Sequence, residues 1–466
     1  MATPQKSIST RKAQRKGRAK LKPQDCTLGL EVVHPKAAGI DVGNEEHWVA
    51  VPAHLDAAPV RRFGCFTGDL QALAGWLKGL GIQTVAMQST GVYGIALYEV
   101  LEQYGMEVFV VNARDTKNLP GRKTDVAECQ WMLKLHVYGL LRNSFRPAED
   151  IRVMRCYWRQ RQQHIADASR CVQRMQKALT QMNVQLANVI SDLTGTTGQT
   201  ILKAILRGER DARQLASLCQ AGIQADLATV AASLQGNWRQ ELLFVLRQEM
   251  ESYEGYQRRI RECDAELSQH FREMPEKGDP KKLNAVRREK RAHGNVPGNM
   301  DLRSELYRIS GVDLTAIDGV NVLTAQTVLA EVGSEMGKFQ TEAHFVSWLG
   351  LCPNNRISGG KIIGREKRKT VNRAATALRM AASTLLRSKS YLGSQYRRFR
   401  TKLGAPKAMK AMAARLARII YRMLKYGESY VDQGQEFYEQ RFREQQLRML
   451  TRKATEFGLQ LVKANG

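Results

Sequence analysis

Ile151, Trp158, Ile165, Val172, Leu179 and Leu186 stand seven residues apart, and Met154, Ala168, Met175, Met182 and Val189 fill the position three further on. Alternating steps of three and four put these apolar side chains in one stripe along an α-helix, which neither a strand nor a loop would produce. Arg161 is the only break in the stripe. A weaker series follows at Leu246, Tyr253, Ile260 and Leu267, with Tyr256 and Cys263 between them. The two stripes predict a coiled coil or a long antiparallel helical hairpin, and leave open whether they pair within one chain or between two.

On either side of this helical middle the pattern changes. Short apolar runs at Ala38–Val42, Trp48–Pro52, Arg62–Phe66, Thr84–Met87 and Val108–Val111 alternate with helical stretches near Asp69–Leu80, Val92–Tyr104 and from Thr124. Three strands followed by strand–helix alternation predict a mixed α/β sheet with helices packed on it. Pro275, Gly278, Pro280, Gly294, Pro297 and Gly298 among charges read as a linker. Beyond it, Leu314–Gly333 reads as helix, tight turn at Asp318–Asn321, helix: an ordinary helical hairpin, or one that offers turn amides to a phosphate. Further helices are expected over Thr370–Arg387, Lys407–Tyr426 and from Gln435. The fold class is therefore α/β plus all-α. The expected domains are a basic tail (1–30), an α/β domain (31–145), a coiled-coil or helical domain (146–274), a linker (275–302), a second helical domain (303–430) and a basic C-terminal helix (431–466).

Charge narrows the function. The chain carries 72 Lys and Arg against 45 Asp and Glu, a net +27, concentrated in the first 22 residues, in 281–291 and from Arg365 to Arg452. A field of that sign favours a polyanion, most commonly nucleic acid, and the clustering argues against a merely basic surface. The eight cysteines include no C-x-x-C pair, which excludes a zinc ribbon or a disulfide framework. No apolar run approaches the roughly 18 residues of a membrane span and none follows the basic amino terminus, so no membrane partner is expected and the cytoplasm is the expected location.

Four short motifs carry chemistry. In Gly39-Ile40-Asp41-Val42-Gly43 a carboxylate ends an apolar strand, where isolation would be costly and a cation or donors are needed. In Lys123-Thr124-Asp125-Val126-Ala127-Glu128, Thr124 is placed to cap a helix whose first turn carries two acids three apart. They either complement the helix dipole or serve, with Asp41, as hard oxygen ligands for Mg²⁺ acting on a phosphodiester. Val85-Ala86-Met87-Gln88-Ser89-Thr90-Gly91-Val92-Tyr93 is a strand ending in a polar turn that opens a helix. Ile357-Ser358-Gly359-Gly360-Lys361 reads either as a plain turn or as an approachable serine, with Arg356, Lys361 and Arg365 near enough to hold phosphate.

The aspartate strand, polar turn and late acidic pair fit a ribonuclease-H-like (RuvC-like) nuclease layout. The whole resembles the DEDD-type insertion-sequence transposases of the "one-ten" family and its "eleven-eleven" subgroup, known as bridge-RNA-guided recombinases. The likeness rests on G-I-D-V-G at 39–43, S-T-G-V-Y at 89–93, P-G-R-K-T-D-V at 120–126 and G-L-C-P-N-N-R-I-S-G-G-K at 350–361. It runs from Ala37 to about Tyr426.

The resemblance implies that Asp41 is the first acid of a metal-binding set and Asp125 the third, with Glu128 standing where many members carry a fourth aspartate. Gln88 departs from the pattern, which has Glu there. An amide oxygen is a neutral, poorer Mg²⁺ ligand, so weakened metal binding and impaired DNA cleavage are expected, from either an inactivating exchange or a natural variant. The resemblance further implies that Ser358 is the nucleophile and that Arg122, Lys123, Arg356, Lys361, Arg365, Lys367, Arg368, Lys369 and Arg373 contact nucleic acid. The implied partners are target and donor DNA, a structured bridge RNA and further copies of the chain in a homodimer or homotetramer, in a bacterial cytoplasm. No histidine is positioned as an obvious base. The competing readings are a RuvC-like junction resolvase that has no need of Ser358, and a nuclease-dead nucleic-acid scaffold favoured by Gln88.

Overall fold

A computed structural model describes residues 31–88, 91–112, 124–284, 294–353, 355–365 and 372–462. The chain divides into two compact units, residues 1–146 and 147–466. The expected basic tail over 1–30 lies outside the described residues.

The first unit is a five-stranded sheet in the order β3-β2-β1-β4-β5, made of β1 (Ala37–Val42), β2 (Glu46–Ala50), β3 (Val60–Gly64), β4 (Thr84–Gln88) and β5 (Glu107–Val111). β1 to β3 form an antiparallel meander, while β4 runs parallel to β1 and β5 parallel to β4. This is the mixed α/β sheet that the apolar runs predict. β1 and β4 are almost wholly buried, as expected of central strands covered on both faces. Alternate residues serve opposite faces. Ala38, Ile40 and Val42 pack with Leu73 and Leu77 of α1 (Thr67–Gly79) and with Leu97 and Leu101 of α2 (Gly94–Gln103). Gly39 faces the other way, onto α3 (Asp125–Val137). There a Cβ would run into the Leu133 N–H and lie 2.5 Å from the Cys129 carbonyl oxygen. The glycine is what lets helix backbone rest directly on strand backbone.

At the far end of α3, His136 is fully buried, stacked on His34 at 4.6 Å, with Nε2 3.1 Å from Thr84 Oγ1. Burial, and secondarily the neighbouring His34, pull its pKa down to about 4, so it is held as the neutral imidazole.

Among its described residues the second unit is helical apart from one hairpin. Its two longest helices, α4 (Glu149–Gln181) and α8 (Gln240–Glu273), pack on each other within the chain. They run antiparallel, since the contacts pair Asp150 with His270, Arg161 with Asp264 and Arg174 with Glu249. Arg161, the break in the stripe, is buried: it meets Asp264 through Nε and again through Nη2 at 3.3 Å, while Nη1 donates to the Asn295 carbonyl at 2.8 Å. The distal end is closed by α5 (Thr196–Arg207), α6 (Ala212–Ser217) and α7 (Leu227–Ser233) around Met175, Leu179, Leu202, Leu215 and Leu246. No seven-residue stripe announces these short helices.

After α8 the main chain of Lys277 and Gly278 donates to the Arg308 carbonyl, at 2.7 and 3.0 Å, in α9 (Leu302–Ser310). The helix expected from Leu314 is only a 3-10 turn at Leu314–Ala316. Asp318 and Gly319, the latter at φ 85°, follow too soon for a helix to propagate. The second arm forms as α10 (Val322–Val332), capped where Asn321 Oδ1 accepts the Thr324 N–H at 2.8 Å. Arg159 of α4 clamps the buried Glu331 of α10 with two bonds of 2.8 and 2.6 Å, and Trp158 Nε1 donates to Thr327 Oγ1 at 3.2 Å. The core then passes through α11 (Glu342–Trp348), α12 (Arg373–Thr384), α13 (Tyr391–Leu403) and α14 (Ala405–Tyr426), around Phe345, Leu378, Leu392, Leu416 and Tyr421. α15 (Gly434–Glu456) has no buried residue. Among the described residues no helix is long and apolar enough to cross a membrane.

Candidate functional site

The strand register and one helix set where the carboxylates expected from the sequence stand in the first unit. Asp41 lies opposite Trp48 in β2, and Gly39 lies beside Ala86 in β4. Carrying that parallel register two residues on sets Asp41 next to Gln88, both on the face that α3 covers. Gln88 is buried at the end of β4 and paired with Val111 of β5, while Asp41 is half-buried.

α3 starts at Asp125 for a local reason: Thr124 is extended and its hydroxyl accepts the Ala127 N–H at 3.3 Å. Asp125 is exposed in the first turn and Glu128 half-buried. Cys129, one turn beyond Asp125, is buried beneath them, and its Sγ donates to the Val126 carbonyl at 3.2 Å. Burial first, and then the charges of Asp41 and Asp125, push this thiol up to about 11. The strand acid and the helix acid thus act on one buried thiol, which burial above all keeps protonated. The sequence reading passes over Cys129 as one of eight scattered thiols. Its place four residues after Asp125, on the same helix face, is the signal that marks it.

The structure does not assemble the expected cluster in full. Among the described residues no three His, Cys, Asp or Glu side chains stand close enough together to hold a metal ion. A donor set of Asp41, Asp125 and Glu128 with an amide at 88 falls short of a closed site, both in convergence and in charge. Ser89, Thr90, Arg122 and Lys123 lie outside the described residues.

Ser358 belongs to the second unit. Directly before its two-glycine turn it ends β6 (Asn355–Ser358), paired with Lys361 at the start of β7 (Lys361–Arg365). Gly359 and Gly360 connect the strands with φ of 52° and 76°, the two-residue turn whose twist suits a hairpin. Ser358, Arg356 and Lys361 are exposed. Arg373 is exposed at the start of α12, where Asn372 Oδ1 accepts the Ala375 N–H at 3.1 Å. Arg365 ends β7, and Lys367, Arg368 and Lys369 lie outside the described residues.

Comparison with known proteins bears on both units. Residues 38–184 match a transposase family described as DEDD-type and IS110-related, and residues 313–397 match the transposase family IS116/IS110/IS902. A DEDD-type domain implies use of a divalent metal. An "Insertion element IS110 uncharacterized 43.6 kDa protein" of Streptomyces coelicolor is 29% identical over 153 residues, or 32% of this chain. The matched stretch spans 36% of that curated relative. With the acids inside the first matched segment and the serine inside the second, the two matches and this relative support an IS110-family transposase.

Proposed function

We propose that the chain is a DNA recombinase that cuts and exchanges strands with Ser358 as nucleophile and is guided by a structured bridge RNA that pairs with target and donor DNA. One observation carries the reading: two family matches, in order along the chain, each enclose one of the reactive groups expected from the sequence. Ser358 Oγ forms a bond to phosphorus, one bridging P–O bond of the DNA breaks, and the released DNA oxygen takes up a proton. Attack by a hydroxyl of the other strand reverses these steps and frees the serine, leaving the strands exchanged. Arg356 and Lys361, exposed beside Ser358 on the same ribbon, hold the phosphate that Ser358 attacks. Asp41, Asp125 and Glu128 are the residues that would take Mg²⁺, but with an amide at 88 no step is assigned to the metal. Homodimers or homotetramers, formed through a coiled coil, would combine the acids of one copy with the serine of another.

The test is to trap the covalent intermediate. Wild-type protein incubated with insertion-element end DNA and its guide RNA should yield a protein–DNA adduct whose linkage maps to Ser358. Ser358→Ala should abolish the adduct and lower exchange at least about 1000-fold. Exchange that survives Ser358→Ala would instead identify a junction resolvase. The buried amide at Gln88 favours a second reading, a nucleic-acid scaffold that no longer cleaves. Metal-dependent cleavage by the chain as it stands would eliminate it.

A further inference from the structure

The β6–β7 hairpin bears a feature that strand exchange through Ser358 does not use. Ile357, Ile362 and Ile363 are 65%, 52% and 68% exposed. The ribbon pairs only with itself among the described residues, as a separate two-stranded sheet. Ile357 and Ile362 are direct cross-strand partners, one step in from the turn, whereas Ser358 and Lys361 form the next pair and point to the opposite face. The ribbon thus has one aliphatic face at its tip and one face with a hydroxyl and an ammonium group. Residues 355–365 contain Arg356, Lys361 and Arg365 and no carboxylate.

We infer that this ribbon is a duplex-DNA wedge, and that it inserts Ile357 and Ile362 into a base step while Ser358 and Lys361, one step nearer the turn at the ribbon's tip, reach a flanking phosphate. Three uncovered isoleucines on a strand pair without acids need a partner that is apolar in one direction and anionic in the other. Stacked bases between two phosphate rails meet both demands, and aliphatic side chains from DNA-bending proteins enter base steps in this way. The glycine turn holds Ile357 and Ile362 opposite each other, with the register shift falling one residue beyond them, between Arg356 and Ile357, so the two isoleucines enter as a pair. Unstacking bends the strand at that step and brings a flanking phosphate toward the ribbon's tip, where Ser358 stands. The inference rests on the DNA-acting reading above and adds to it the form of DNA that the ribbon recognises.

The experiment uses the full chain with a duplex carrying 2-aminopurine at a TA step, the step that unstacks most readily. Wild-type protein should raise the fluorescence several-fold on binding. The Ile357→Ser/Ile362→Ser double variant, altered only at exposed positions, should melt at the wild-type temperature. It should bind DNA with the wild-type salt dependence and leave the fluorescence at its free-duplex level. Lys361→Ala should keep the fluorescence rise but lower the salt slope by about one. Ser358→Ala should keep both, so failure of the nucleophile reading and failure of the wedge are told apart. Equal fluorescence with the wild type and the double variant overturns the inference. So does a double variant that loses self-association in sedimentation and leaves the fluorescence rise intact, because the isoleucines would then meet another copy of the chain.

Discussion

Asp41 and Ser358, the two residues with the strongest claim to chemistry, are held in opposite ways. Asp41 stands on a central strand with buried residues around it and a helix seated backbone to backbone on Gly39 two residues away. Ser358 stands on a ribbon of two short strands that no other strand supports among the described residues. On the proposed reading this is a division of labour: the strand acid is anchored beside a core, whereas the serine is carried on a light element outside one. Glycine serves both ends, at Gly39 by allowing contact and at Gly359 and Gly360 by allowing positive φ.

Four measurements test this contrast. Gly39→Ala should have the largest effect. Neither Leu133 nor Cys129 can move its backbone aside cheaply, so thermal unfolding of the first unit should show a loss above about 3 kcal/mol; a loss under 1 kcal/mol would show that α3 is not seated as described. Acid comes next. Burial lowers the His136 pKa from 6.5 to about 4, so the unfolded state binds the extra proton first. The stability that neutral His136 contributes is complete above pH 6.5 and is lost as pH falls toward 4, to an extent of the order of 3 kcal/mol. A melting series over that range should slope for the wild type and flatten for His136→Phe.

Gln88→Glu adds the missing carboxylate and should raise Mg²⁺-dependent strand exchange by about 10- to 100-fold; no gain would mean that the acids have another task. The smallest effect is expected at the ribbon, where Gly359→Ala, at φ 52° in open space, should cost only about 1 kcal/mol in the second unit's unfolding.

The strands of the first unit are legible in the sequence because a strand buried on both faces has to be an apolar run, and Ala37–Val42 and Thr84–Gln88 are such runs. The β6–β7 ribbon is not legible. Its strands are too short and too exposed for any alternation to register, and Ser-Gly-Gly-Lys announces only the turn. The helices between Thr196 and Ser233 escape for a related reason, being one to three turns long and separated by Gly and Asp. At the candidate site Asp41, Asp125 and Glu128 are legible as acids at element ends. Their incomplete convergence depends on how α3 sits on the sheet, which no local pattern encodes.

Arg161 is the opposite case, read as a fault in the stripe and found as a buried ion-pair partner that helps fix the stripe's alignment. Apolar seams tolerate sliding, since one heptad resembles the next. A shift of α4 along α8 by seven residues, about 10 Å, would leave Arg161 and Asp264 each charged and alone among apolar neighbours, which costs several kcal/mol per ion. With the Asn295 carbonyl on the same guanidinium, the chain that leaves α8 is pinned at the same point. The pair of long helices is therefore held in one alignment, as a strut whose two arms resist slipping past each other.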